Sequence, residues 1–221
     1  MLTENAFSGF HPSDFEVFTI PGFAERMDAL RSHVRPKFEA LGALLRPELS
    51  AIVGDEMFVH VAKHMRRKVN PPDDSWVAFG GKRGYKMGPH FQVCLWSTHA
   101  LIQWGLIYEA ADKGTFARNL FLSSDSVAAA IPGDYQWSKD HMRPEGTRHE
   151  DMTEADFHEF ADRLLHRKNG EVMVGKVIPK EEAVRMGGDG FHEVAVDAFR
   201  RLAYLHRMAS PMWREHPSVQ R

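Results

Sequence analysis

Cysteine is almost missing: Cys94 is the single one among 221 residues. One thiol cannot close an intrachain disulfide, so no disulfide framework holds this fold, and a reducing compartment suits it. Neither sign of charge dominates. There are 28 Lys plus Arg against 30 Asp plus Glu, for a formal net charge of −2. That balance excludes a uniformly basic polyanion binder. Long hydrophobic runs are missing too. The most apolar segment, 101–111, is interrupted by Gln103 and Glu109 and falls well short of the roughly 20 residues that span a bilayer. The first seven residues lack the basic and apolar regions of a secretory signal. Together these absences predict a cytoplasmic protein with no membrane span. There is no internal repeat, low-complexity tract or linker either, so one domain over residues 1–221 is expected. The remainder is a globular mixture, 43% hydrophobic and 26% charged.

Periodicity divides the chain into three parts. Residues 10–54 read as helical. Pro12-Ser13-Asp14 opens a short helix, Pro21-Gly22 breaks it, and residues 24–45 carry Met27, Leu30, Val34, Phe38, Leu41 and Leu45 at helical spacing. Pro36 is expected to kink or divide this run, and residues 47–52 to add a further turn. Residues 57–109 change period. Met57, Val59 and Val61 alternate with Phe58, His60, Ala62 and His64. Residues 76–79 form a short strand, Phe91, Val93 and Leu95 alternate with His90, Gln92, Cys94 and Trp96, and residues 101–108 form a fourth apolar run. Short links between such strands imply an antiparallel meander. Residues 112–207 return mostly to helix. An edge strand is expected near 135–137 and another strand at 171–178. Thr153 is expected to cap a helix reaching about His166. Gly187-Gly188-Asp189-Gly190 reads as a flexible loop ahead of a last helix striped by Phe191, Val194, Ala198, Leu202 and Leu205. The expected fold is α+β: a two-layer sandwich, with helices from both chain ends packed on one face of a central antiparallel sheet.

Strand phase singles out one face. Side chains at i, i+2 and i+4 share a side of a strand. If Val59 and Val93 face the core, then His60, His64 and Arg66, together with His90, Gln92 and Cys94, face away from it. That side is either plain solvent or the floor of a ligand site. Charge is also uneven. Residues 57–96 carry Lys63, Arg66, Arg67, Lys68, Lys82, Arg83 and Lys86 against two acids, a local net of +5, and residues 145–162 carry −6. Trp76 and Tyr85 lie within the basic stretch and offer stacking surfaces. The candidate ligand-binding set is therefore His60, Lys63, His64, Arg66, Arg67, Trp76, Lys82, Arg83, Tyr85, Lys86, His90 and Gln92. Donors, cations and aromatics together suit a small anionic or nucleotide-like ligand. Two other readings remain open. The same basic patch could bind nucleic acid, or the surface could serve a protein partner with no small-molecule site. The acidic 145–162 segment could equally neutralise the basic one internally.

Several motifs lead nowhere by themselves. His60 and His64 have metal-ligand spacing only on a helix; on a strand they stand about 13 Å apart. No metal centre is assigned, although combinations of distant histidines, such as His90, His99 and His141, stay open. Cys94, between Val93 and Leu95, reads as a small buried hydrophobe rather than a nucleophile. The glycine cluster lacks both the P-loop and the dinucleotide-binding patterns, and any cofactor stays unknown. His141-Met142-Arg143-Pro144, Arg148 and His149 lie in an irregular stretch with no fixed role.

A family resemblance runs through the same residues. Phe7-Ser8-Gly9-Phe10, Asp14-Phe15-Glu16-Val17-Phe18, Gly54-Asp55-Glu56-Met57-Phe58, His60-Val61-Ala62-Lys63-His64, Val69-Asn70-Pro71-Pro72, Trp76-Val77-Ala78-Phe79, Arg83-Gly84-Tyr85-Lys86 and Pro89-His90-Phe91-Gln92 resemble the YktB-like family of uncharacterised bacterial proteins. The resemblance extends from about Phe7 to His206 and thins beyond Asp112. It implies an α–β sandwich on an antiparallel sheet, topologically akin to the catalytic domains of class II aminoacyl-tRNA synthetases and biotin ligases. It implies no activity, because fold likeness does not carry function.

Overall fold

The structure, a computed structural model, describes residues 7–82 and 84–213. Helices α1 (Pro12–Glu16), α2 (Phe23–Ala29) and α3 (Arg35–Val53) precede strands β1 (Phe58–Val61), β2 (Asp74–Gly80), β3 (His90–Trp96) and β4 (His99–Leu106). Then come α4 (Gly114–Leu122), α5 (Ser124–Ala130), β5 (Gln136–Ser138), β6 (Thr147–Arg148), α6 (Glu154–His166), β7 (Val172–Pro179) and α7 (Lys180–Met208). The strands form one sheet in the order β1-β2-β3-β4-β7-β5-β6, antiparallel throughout. The expected two-layer α+β sandwich is present.

One face of the sheet is apolar because the alternation dictates it. Val77, Phe79, Phe91, Val93, Leu95, Ile102, Trp104, Val172 and Val174 are buried there and belong to one core with the helices. The α3 helix packs on β1 and β2, and α7 on β3, β4 and β7. Gly42 of α3 admits this approach, since a Cβ there would meet Val59 at 2.6 Å. Phe10 and Phe191 meet edge to face at 4.9 Å and join the N-terminal segment to α7.

Several local expectations change. Pro36 lacks the amide hydrogen that an uninterrupted helix needs; the chain passes through a π turn at Leu30–Val34, and Pro36 falls in the first turn of α3. The α3 helix then runs through Pro47 to Gly54, whose left-handed backbone (φ 77°) caps it with an N–H bond to Ser50 O at 2.9 Å. The strand near 135 is not an edge strand: β5 lies between β7 and the two-residue β6.

The glycine cluster is a one-residue break rather than a longer loop: Gly187 (φ 65°, ψ −167°) is non-helical, and two helical segments within Lys180–Met208 meet there. The reason is a backbone crossing: a Cβ on Gly188 would lie 2.3 Å from Phe7 O, and one on Gly9 would lie 2.6 Å from the Gly187 carbonyl carbon. At α6 the expected cap is present, with Thr153 N–H donating to Asp156 Oδ2 at 2.8 Å.

Candidate functional site

The opposite face of the sheet carries a row of polar and small residues. Cross-strand register places His60, Ala78, Gln92, Gln103, Gly175, Gln136 and Arg148 in line across all seven strands. A neighbouring row holds Trp76, Cys94 and Leu101. Over these rows lies a cleft of about 110 Å³. Its floor includes Trp76, Gln92, Cys94, Leu101, Gln103 and Met173, and its walls include Asp74, Tyr85, Lys86, Trp96, Ser138, Asp140, His141 and Arg143. Gly175 keeps the floor low, because a Cβ there would come within 2.5 Å of Gln103 Cβ.

The floor is held by its own hydrogen bonds. Gln103 Nε2 donates to Gln92 Oε1 at 2.9 Å, and the Cys94 thiol lies 3.5 Å from the same oxygen. Burial pushes the Cys94 thiol well above its ordinary range. It is therefore a protonated group in the floor, not a poised nucleophile. Trp76 Nε1 donates to the Tyr85 hydroxyl at 3.2 Å, and burial raises that phenol to about 12. On the wall, burial raises the Asp74 carboxyl to about 6, against the pull of Arg67 and then His141. Glu171, buried ahead of β7, accepts a bond from the His141 backbone N–H at 3.1 Å and lies 2.9 Å from its Nδ1. Burial lowers the His141 imidazole, but the hydrogen bond and charge of Glu171 outweigh it, and the net effect is upward.

Of the sequence-derived candidates, Trp76, Tyr85, Lys86 and Gln92 line this cleft. Lys86 is joined to Glu109 at 3.0 Å. Arg67 stands close enough to act on Asp74 and His64. His60 and His90 flank Tyr85, with ring centroids at 5.8 and 5.1 Å. His90 is fully buried and held near pKa 4 by desolvation. The β1 strand ends at Val61, so the expected continuation of its face to His64 and Arg66 does not occur. His64 takes a left-handed backbone (φ 50°) that brings its ring against Trp76 at 5.2 Å and Ser75 Oγ at 3.1 Å.

The basic stretch is divided by β2, with Lys63, Arg66 and Lys68 before it and Lys82 and Lys86 after it. Lys63 lines a groove between α3 and β1, Arg66, Lys68 and Lys82 are exposed in connecting segments, and Arg83 lies outside the described residues. Among the described residues, no ion pair joins the acidic segment to these basic residues. The ion pairs of the described acids in 145–162 run to Lys139, Arg148, His158 and His166. Sequence reasoning missed Asp74, Gln103, Gln136, Ser138 and Asp140 as wall and floor residues. The alternation Leu101, Gln103, Gly105 was the available signal for the β4 contribution. For the β5 loop there was no local signal.

A family profile described as a domain of unknown function, DUF1054, matches residues 10–206. A UPF0637 protein of Bacillus licheniformis is 44% identical over 200 residues, 90% of this chain and 95% of the relative. Another from Bacillus velezensis is 43% identical over 200 residues, with the same coverage. A third, from Bacillus cytotoxicus, is 41% identical over 202 residues, 91% of this chain and 97% of the relative. The profile spans every element of the sheet and every residue of the cleft, and the chain belongs to the DUF1054 family of uncharacterised bacterial proteins.

Proposed function

We propose that the protein binds a small, planar, polar molecule carrying an anionic group, such as a nucleotide-like ligand, in the cleft on the face of the sheet opposite α3 and α7. The observation that carries this reading is the composition of one small hollow: an indole and paired side-chain amides in the floor, with ionisable groups around the wall. A space of about 110 Å³ is of the order of a cavity that holds a single small ring. Trp76 and Trp96 supply faces for a flat group. Gln92, Gln103 and Asp74 supply donors and acceptors for its edge. Lys86 and Arg143 stand on the wall for a phosphate or carboxylate. Lys63 lies in the groove between α3 and β1, and Arg66 and Lys82 lie beyond opposite ends of β2; this supports the reading over a nucleic-acid groove, which needs a continuous basic track. Residence in the cytoplasm fits as well. No helix among the described residues is long and apolar enough to cross a membrane, and the buried Cys94 thiol suits a reducing milieu.

Native mass spectrometry of freshly isolated protein should show a co-purified small molecule. In addition, a panel of nucleoside monophosphates should quench tryptophan fluorescence at saturable concentration. Trp76→Ala should weaken that binding roughly tenfold through lost stacking, whereas Lys63→Ala, on the other face, should leave it unchanged. Protein that carries nothing and binds no member of the panel rejects the reading.

A further inference from the structure

We propose that Asp140, His141 and Glu171 form a site for one divalent cation of zinc or manganese type beside the cleft. The site stands independently of the ligand reading, because the ion can bind with the cleft empty. One donor atom from each of the three residues lies within 4.8 Å of the other two. The donors come from two distant segments. Asp140 and His141 follow β5, and Glu171 precedes β7.

Two ligand atoms bound to one tetrahedral zinc at ~2.1 Å stand ~3.4 Å apart. His141 Nδ1 and Glu171 Oε2 are 2.9 Å apart, so the pair opens by only about 0.5 Å to take the ion. The His141 backbone N–H bond to Glu171 Oε1 already sets the orientation of the carboxylate. Met142 N–H donates to Asp140 Oδ1 at 2.9 Å and orients the second one. Mixed nitrogen and oxygen donors suit zinc, iron or manganese rather than a purely oxygen-seeking ion.

The charge around the cluster also favours a cation. Glu171 is only 5% exposed, and a buried carboxylate needs a compensating charge, which His141 at 2.9 Å supplies when protonated and a bound cation would supply in its place. Lys113, which feels Glu171, donates instead to the carbonyls of Lys168 and Gly170. Glu109, whose charge reaches His141, keeps one buried carboxylate oxygen without a partner. Arg143 lies 3.6 Å from Asp140, but its side chain is 76% exposed, so it can turn aside at little cost. Asp140 and His141 both line the cleft, which leaves open coordination positions for water or for a bound molecule.

The test uses the full chain and metal alone, with no nucleotide present. Calorimetric titration with Zn²⁺ should show one equivalent bound, and Co²⁺ should develop visible ligand-field absorption. His141→Gln and Asp140→Asn should each weaken binding at least tenfold and diminish the Co²⁺ band, while far-UV circular dichroism stays unchanged. Asp140 is half-exposed, so its variant keeps the test valid if a change at Glu171 disturbs folding. His166→Gln, at an exposed histidine elsewhere, should bind as the parent does. Absence of saturable binding overturns the proposal. So does binding that Asp140→Asn and His141→Gln leave intact, which would make the His141–Glu171 contact a latch for the β5 loop and nothing more.

Discussion

Asp74 begins β2, is 8% exposed and carries a carboxyl raised to about 6 by desolvation. Its folded pKa exceeds its unfolded one. Whatever stability it contributes is therefore complete below the unfolded value and is lost as pH rises through 6. A tenfold change in proton affinity corresponds to roughly 1.4 kcal/mol, so the ionised form costs about 3 kcal/mol at most at neutral pH. Asp74→Asn keeps the shape and removes the charge. It should stabilise the protein by about 1–3 kcal/mol at pH 7.5, and the gain should shrink towards pH 4. Urea denaturation of both chains at the two pH values measures this. A variant no more stable than the parent at pH 7.5 would mean that Arg67 compensates Asp74 fully. Nothing in the sequence hints at this tension, since Asp73 and Asp74 are adjacent and identical. Only the 74↔96 strand pairing separates them, leaving Asp73 exposed and Asp74 buried.

Among the elements, α7 shows how short a glycine break can be. A run of three glycines around Asp189 reads as a break, because glycine disfavours helix. The break is confined to Gly187, whose backbone is non-helical, and Gly187 and Gly188 serve a crossing with the Phe7–Gly9 segment. Gly188→Ala would place a methyl 2.3 Å from Phe7 O. Neither backbone yields easily, so the substitution should cost about 2 kcal/mol or more despite alanine's better helix propensity. Gly81→Ala, with open space around it, should be nearly neutral. Thermal melting of the two variants checks the contrast; equal melting temperatures would remove the crossing as the reason for the glycines. The β3 strand shows the opposite case. Its alternation set the phase of Phe91, Val93 and Leu95 correctly, because burial on one face and polarity on the other follow directly from a two-residue repeat. In β1 the same repeat overran, since nothing local to His64 announces the left-handed backbone that turns the chain there.

At the scale of the molecule, buried histidines among the described residues bind stability to pH. Burial holds His64, His90 and His206 near pKa 4. The unfolded chain takes up their protons near 6.5 and the folded one does not until about 4. Their contribution is therefore complete above about 6.5 and is lost as pH falls towards 4. Stability should decline by several kcal/mol between pH 7 and pH 4.5, because each histidine loses about 1.4 kcal/mol for every tenfold rise in proton concentration across that window. His90→Asn should flatten that slope, as read from denaturant midpoints across the range. A parent chain equally stable at both ends of the range contradicts the assignment of neutral buried imidazoles.

The sequence by itself determined the local grammar of this protein: which stretches are helix or strand, which strand face is apolar, that helices cover one side, and that Cys94 stays a lone thiol. These follow from side-chain direction and burial, which depend on near neighbours along the chain. Tertiary structure decided which residues join Trp76, Tyr85, Lys86 and Gln92 in the cleft. Gln92 meets Gln103 through one hairpin register. Gln136 and the Asp140–His141 pair reach the same face because β5 enters the sheet beside β7, some forty residues later in sequence. Strand order and register between distant segments depend on the packing of the whole core, and no local pattern encodes them.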